Sequence, residues 1–149
     1  MATLKPTLSL TSTDAHSDTL SLSVTASSIV SAPSTGISVV STDDNPLGVG
    51  AGVIVEEDPI VDTYVYIKHT GKKNTAPLTD AAAGDKVLVT NADGTATGMK
   101  ITLHPGEFVY FCLAAGSGGL GAANTQGGLK IAKVSGNDVM VEYGCWRKT

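Results

Sequence analysis

The sequence has few charged residues. Asp, Glu, Lys and Arg together make up 16% of the chain, against about 25% in an average soluble domain. The formal net charge is −4, and basic residues are adjacent only in the pairs Lys72-Lys73 and Arg147-Lys148. Proteins that bind nucleic acid usually carry a larger basic patch, because displacing counterions from phosphates provides much of their affinity. We therefore expect no direct contact with nucleic acid.

Long apolar runs are also missing. None approaches the ~20 residues that cross a bilayer, and the first residues do not combine a charged start with the apolar stretch of a signal peptide. We therefore expect a chain that is made in a cytoplasm and does not enter a membrane. The only two cysteines, Cys112 and Cys145, lie in apolar, strand-like segments. That setting predicts buried, reduced and unreactive thiols rather than a native disulfide.

Motifs for catalysis, metals or cofactors are absent as well. The three histidines, His16, His69 and His104, do not show the paired spacing of a zinc site. His69 and His104 each end a strand-like run, where we expect them to form hydrogen bonds at the surface. The acidic run at residues 56–58 lacks the spaced ligands and turn glycine of a calcium loop. The glycines of residues 48–52 are not followed by the Lys-Ser or Lys-Thr of a phosphate loop. We predict no catalytic residue, metal or cofactor, and a protein that is not an enzyme.

Short strand-like segments dominate what is present. Residues 63–69 and 107–113 are dense in β-branched and aromatic residues, which favour strands. Pro105 and Gly106 suit the two central positions of a type II turn, and residues 135–138 are typical of a hairpin turn that joins residues 129–134 to 139–146. No segment has the helical apolar period. The sequence therefore predicts an all-β fold, a β-sandwich or barrel of roughly eight to ten short strands, with an N-terminal extended or strand-forming segment.

The N-terminal region differs from the rest of the chain. Residues 1–47 contain no Phe, Tyr or Trp, yet leucine and valine alternate there with serine and threonine. Two interpretations fit this pattern: the first strands of the same domain, or an arm that packs on a neighbouring subunit with residues 48–52 as its hinge. We accordingly divide the chain into an N-terminal segment, residues 1–52, and a β-sandwich or barrel body, residues 53–149.

Five side chains are candidates for an interface. An exposed leucine forgoes about 1.5–3 kcal/mol of transfer free energy, so the alternating leucines of the N-terminal segment need a partner surface. Trp146 is the only tryptophan and is either an interface anchor, since aromatic residues dominate binding hot spots, or a cap over the end of the barrel. The interface candidates are Leu8, Leu10, Leu20, Leu22 and Trp146.

Three short motifs resemble a known family. They are YVYIKHTG at residues 64–71, LHPGEFV at residues 103–109 and VEYG at residues 141–144. In this order they resemble small β-rich virion proteins of tailed bacteriophages, in which a valine-tyrosine-isoleucine-lysine-asparagine strand precedes leucine-x-proline-glycine-glutamate and a closing valine-glutamate-tyrosine strand. The resemblance covers roughly residues 60–146, with His69 where asparagine is commoner. The first 50 residues match no family we can name.

The resemblance implies a structural virion protein. Within that class we expect a capsid decoration, or cement, protein on the outside of the phage shell. Its partners would be the major capsid protein and copies of itself, as a homotrimer, although no sequence feature selects that symmetry. A tail or fibre-base subunit is the alternative. A carbohydrate-binding β-sandwich is a second alternative, against which stands the 5% content of aromatic residues, since sugars bind by stacking on such rings.

Overall fold

The computed structural model describes residues 2–13, 20–41, 62–91, 99–113 and 129–149. These residues form ten β-strands and contain no helix, so the predicted all-β fold is confirmed. In chain order the strands are β1 (Ala2–Leu4), β2 (Thr7–Ser12), β3 (Leu20–Thr25), β4 (Ser28–Val40), β5 (Thr63–Lys73), β6 (Lys86–Asn91), β7 (Lys100–Leu103), β8 (Phe108–Leu113), β9 (Leu129–Ser135) and β10 (Val139–Lys148).

Two antiparallel sheets form the body of the protein. One has five strands in the order β1-β4-β10-β5-β8, and the other has three in the order β7-β6-β9. Strands β2 and β3 pair only with each other among the described residues and form a separate two-stranded ribbon. Buried side chains of the five-stranded and three-stranded sheets belong to one hydrophobic cluster. The body is therefore a β-sandwich, as the strand pattern predicted.

The core follows from the alternation of side chains along each strand. In β5, Thr63, Val65, Ile67 and His69 are buried, while the residues between them are partly exposed. Each fully buried aliphatic side chain contributes about 1.5–3 kcal/mol. The fully buried aliphatic residues that join the two sheets are Val40, Val65, Ile67, Val87, Val89, Leu129, Ile131, Val139 and Val141, with Leu103 nearly so.

The predicted type II turn at Pro105-Gly106 is confirmed. The N–H of Glu107 donates to the carbonyl of His104 at 3.0 Å, and Gly106 has a φ of 87°, which the second central position requires. The turn carries the chain from β7 in the three-stranded sheet to β8 in the five-stranded sheet.

The predicted hairpin between residues 129–134 and 139–146 is wrong. The turn exists, but β9 pairs with β6 whereas β10 pairs with β4 and β5, so the chain crosses between the sheets. The buried carboxylate of Asp85 holds the turn in place. Its Oδ1 accepts hydrogen bonds from the Asn137 N–H at 2.6 Å and from Asn137 Nδ2 at 3.0 Å, and its Oδ2 accepts one from the Ala82 N–H at 2.7 Å. These bonds anchor the turn to the loop before β6.

The expected surface position of His69 is also wrong, because its side chain is fully buried. Strand β5 continues to Lys73, so His69 lies within the strand, on the same inward face as Val65 and Ile67. Its Nε2–H donates to the Asp85 carbonyl at 2.8 Å, and its Nδ1 accepts from the Gly71 N–H at 3.1 Å. Both ring nitrogens thus have a partner, as burial of a polar group requires.

The N-terminal segment is divided between the sandwich and the ribbon. Strand β4 pairs with β10 over most of its length, and Val40 belongs to the core. Strand β1 pairs with the start of β4. Among the described residues only the ribbon, strands β2 and β3, lies outside both sheets, so an arm that packs on a neighbour remains a prediction for those two strands. The proposed hinge, residues 48–52, lies outside the described residues.

Candidate functional site

The ribbon has one apolar face and one hydroxyl face. In the β2–β3 register Leu8 lies opposite Val24 and Leu10 opposite Leu22. Residues that face each other across an antiparallel pair project to the same side. We call these four side chains the apolar ribbon face. The alternate positions are occupied entirely by Ser and Thr, and Thr7 and Thr25 join their hydroxyls at 3.0 Å.

The apolar ribbon face is uncovered. Exposed fractions are 45% for Leu8, 46% for Leu10, 43% for Leu22 and 54% for Val24. A two-stranded ribbon is only marginally stable in water unless a hydrophobic face packs on something. Three predicted interface candidates therefore meet on one open surface. The fourth, Leu20, begins β3 with its Cα opposite Ser12.

The ribbon also lacks the features that normally protect a sheet edge. Natural edge strands carry charges, prolines or bulges that block pairing with another chain. Strands β2 and β3 contain no charged residue and no proline, and their register is continuous over six pairs. Burying this surface would strip water from no ion. The ribbon is suited to becoming an interface by both its face and its edges.

A second apolar surface lies on the face of the five-stranded sheet that points away from the core, which we call the outer face. Along β5 the partly exposed Tyr64 and Tyr66 alternate with the buried Val65 and Ile67. The residues of β8 and β10 that pair with Tyr64, Tyr66 or Lys68 project from the same side of the sheet as these three residues. Five of the chain's seven aromatic residues lie there: Tyr64, Tyr66, Phe108, Tyr110 and Trp146.

These rings pack on one another across the strands. Tyr64 and Tyr110 are stacked with centroids 5.9 Å apart, and Tyr66 and Phe108 are tilted at 6.3 Å. Burial raises the pKa of both Tyr66 and Tyr110, with smaller contributions from Glu142 and Tyr64 respectively. The buried Tyr110 hydroxyl has no hydrogen-bond partner in the described part of the chain. Phe108, in contrast, is 58% exposed. Part of the outer face is therefore available to another molecule.

Beside these rings the outer face is indented by a groove of about 370 Å³. The ring of Trp146 lies over Gly144, where any Cβ would overlap it. Ile37, on the other side, is 63% exposed. The groove is lined by Thr35, Gly36, Ile37, Tyr66, Glu142, Tyr143, Gly144 and Trp146. Trp146 thus helps to form a groove on the outer face, and its role as an interface anchor remains a prediction.

Replacing Gly144 with alanine should displace the Trp146 ring. The new methyl group would overlap it, and overpacking of this kind costs about 1–3 kcal/mol. Because Trp146 is the only tryptophan, its fluorescence emission should shift, and urea denaturation should show the lower stability. Gly84→Ala is the control, since no heavy atom lies within 4 Å of a Cβ there. Unchanged emission in Gly144→Ala would contradict the position of the ring.

The aromatic cluster was not predicted from the sequence. The only signal was that Tyr64 and Tyr66 are two residues apart, as are Phe108 and Tyr110. This spacing indicates strands, but it does not show that the four rings pack in two pairs across them. Cys112 also departs from prediction. It is exposed, although burial of the sulfur raises the pKa of the thiol. Cys145 is half-buried, and both cysteines are free. They pair with Tyr64 and Val65, which project to opposite faces of the sheet.

Among the described residues, no three His, Cys, Asp or Glu side chains lie together in a way that could hold a metal ion. The same part of the chain contains no helix with the length and apolar character needed to cross a membrane.

The fold and these two surfaces define an all-β sandwich with a projecting amphipathic ribbon. Comparisons with protein-family models, curated proteins and solved structures gave no match. The resemblance to phage virion proteins therefore depends on the three short motifs, and the functional argument depends on the two apolar surfaces.

Proposed function

We propose that this protein is a non-enzymatic structural subunit, and specifically a decoration protein on the outside of a tailed-phage capsid. The observation that carries the proposal is the uncovered, uncharged apolar face of the ribbon. A protein that works alone has no use for such a surface, because it promotes aggregation. A subunit that is permanently assembled keeps it covered.

The mechanism of stabilisation is addition of buried area across the joints of the shell. A subunit that binds only the assembled shell shifts the assembly equilibrium by mass action. The open edges of the ribbon can add strands to a neighbouring sheet through backbone hydrogen bonds, which demand little of the partner's sequence. The Ser and Thr face would stay toward water or pair with polar groups. The partners are the major capsid protein and copies of this chain.

Saccharide binding is a second candidate function, and one observation favours it. Although aromatic residues are few, the fold collects five of them on the outer face, and Trp146 and Tyr66 border the groove together with the carboxylate of Glu142. Rings beside a polar acceptor can contact both the apolar face and the hydroxyls of a sugar. Saccharide binding in the groove would leave the exposed apolar ribbon face unexplained, so we place assembly first.

Immunogold labelling of the phage particles released by cells that encode this chain tests the proposed function. We expect label over the whole head surface, at many copies per particle, because a decoration protein repeats with the capsid lattice. Label restricted to the tail or its base would replace the proposal with the tail-subunit alternative. Particles from which the chain is absent would refute a virion role altogether.

A further inference from the structure

The chain carries two uncovered apolar surfaces that do not cover each other. The apolar ribbon face keeps about half of each side chain in water, and Ile37 and Phe108 on the outer face are more exposed still. One is the apolar face of a two-stranded ribbon, which we call the ridge, and the other is a groove between the half-buried Trp146 ring and the exposed Ile37. A ridge and a groove of the same polarity are complementary, so one copy can present what another accepts.

The apolar area that can be buried favours contact between a ribbon and a groove over contact between two ribbons. Four half-exposed aliphatic side chains offer roughly 120–240 Å² per copy, taking about 60–120 Å² for a complete side chain. Two ribbons face to face would thus bury only about 240–480 Å², well short of the ~1,200 Å² at which specific interfaces begin. The outer face adds aromatic side chains, each with up to 150–250 Å² to bury. Ribbon on groove therefore comes closer to a stable interface.

The chemistry of the two surfaces also agrees. Leu8 and Leu10 are two residues apart on a strand and so project about 7 Å apart along the ridge. The rings of Tyr143 and Trp146 fill the space over the two glycines of the groove, so a partner side chain would contact those rings and the exposed Ile37. Among the lining residues only Glu142 is charged, and the ribbon strands carry no charge at all. Little is lost by removing water from this pair of surfaces.

We propose that the ribbon of one copy of this chain packs into the outer-face groove of the next copy. The inference rests on the proposed function, because it supplies the self-association that a decoration protein needs. Contact between unlike surfaces is head-to-tail, and such contacts close into rings when the rotation between copies permits. Each copy then gives one ribbon and receives one, so both apolar surfaces are covered throughout the ring.

Paired substitutions on the two faces of the ribbon test the ridge. Leu10→Glu places a charge on the apolar ribbon face, and Ser9→Glu places the same charge on the adjacent residue of the hydroxyl face. Both positions are exposed, so each variant should fold, as circular dichroism would show. By light scattering over a dilution series, Leu10→Glu should weaken self-association by about 30-fold or more, as loss of an interface hot spot does. Ser9→Glu should associate like the unmodified chain.

Substitution in the groove, followed by mixing, tests the pairing itself. Ile37→Glu should also give monomers, whereas the control Leu78→Glu, at another exposed apolar position outside the groove, should not. The Leu10→Glu variant keeps an intact groove, and the Ile37→Glu variant keeps an intact ribbon. When the two variants are mixed, that ribbon can bind that groove. Native mass spectrometry should then show a heterodimer that neither variant forms alone and that cannot close a ring.

The other outcomes overturn the inference. If Ile37→Glu alone associates like the unmodified chain, the groove does not bind the ribbon, and the ribbons of two copies contact each other instead. If the mixture gives no heterodimer, or the unmodified chain stays monomeric at every concentration, the ribbon has a different occupant, such as the shell protein. Capsid labelling is independent of these results. Rings without head labelling would refute the decoration role alone, and head labelling without rings would refute only the ribbon–groove contact.

Discussion

Replacing Gly136 with alanine is expected to lower the free energy of unfolding by about 2–5 kcal/mol. Gly136 has a φ of 86°, and a left-handed backbone costs a residue with a Cβ about 1–2 kcal/mol. The new Cβ would also overlap Oδ1 of Asp85. That oxygen holds the N–H and side-chain amide of Asn137. Displacing it would take hydrogen bonds from the buried Asp85 carboxylate, at about 1–3 kcal/mol more.

Gly106→Ala is the matched control for this prediction. Its φ of 87° is nearly the same, yet no heavy atom lies within 4 Å of an added Cβ. Only the backbone cost of about 1–2 kcal/mol should appear. Urea denaturation of both variants at one fixed protein concentration measures the difference, since association would otherwise shift the midpoints. Equal losses in the two variants would show that the contact between the turn and Asp85 contributes nothing to stability.

Local features of the fold could be predicted from the sequence because their causes are local. The alternation of Val65 and Ile67 with Tyr64 and Tyr66 indicates a strand with two different faces, and Pro105 followed by Gly106 specifies one turn type. Neither inference needs knowledge of a distant residue. The predicted sandwich or barrel followed from the number of such segments and the lack of a helical period.

Partners distant in sequence explain what the prediction missed. Asn137 lies 52 residues from Asp85, and nothing in the turn itself shows that a buried carboxylate will hold it or that β10 will pair in another sheet. His69 is expected from the sequence to end a strand and face a turn. The strand in fact runs on to Lys73, so alternation points the imidazole inward, where its Nε2–H donates a hydrogen bond to the Asp85 carbonyl.

The candidate site was predicted in part. Leu8, Leu10 and Leu22 were singled out because exposed leucines need a partner, and the structure places all three on one open face. The sequence could not show that the ribbon leaves the sheet while β4 joins it. The groove was missed entirely, because it depends on Gly144 and Gly36 lying in neighbouring strands beside Ile37.

Stability is expected to depend on acid pH through Asp85. Hydrogen bonds from the backbone N–H groups of Asn137 and Ala82 hold the pKa of its carboxyl below the usual 3.8, and Lys73, 3.8 Å from Oδ2, acts in the same direction. In the window between the folded and unfolded pKa values the unfolded chain binds more protons. Stability therefore rises with pH there. The contribution is complete above about pH 3.8 and is lost as pH falls through the lower, folded value.

Asp85→Asn should remove this dependence. At neutral pH the variant should unfold at lower urea concentration than the unmodified chain, because an amide nitrogen replaces one oxygen of the buried side chain that accepts from backbone N–H groups. Below about pH 3.8 the unfolded chain takes up a proton first, and the contribution of Asp85 is lost as pH falls through its lower, folded pKa, so the two denaturation midpoints should converge. A gap that stays constant down to about pH 2.5 would mean that the charge of Asp85 is not what holds the turn.

Asp80→Asn provides the comparison that separates a buried carboxylate from an exposed one. Asp80 also has a lowered pKa, caused by its hydrogen bond and ion pair with Lys72 at 2.5 Å, but its side chain is 85% exposed. Ion pairs in water contribute little, because solvent and salt screen them. Asp80→Asn should therefore leave the midpoint nearly unchanged at every pH, and added salt should erase what difference there is. For Asp85 the difference should survive salt, because the partners of its carboxylate are chiefly backbone N–H groups that cannot move away from it.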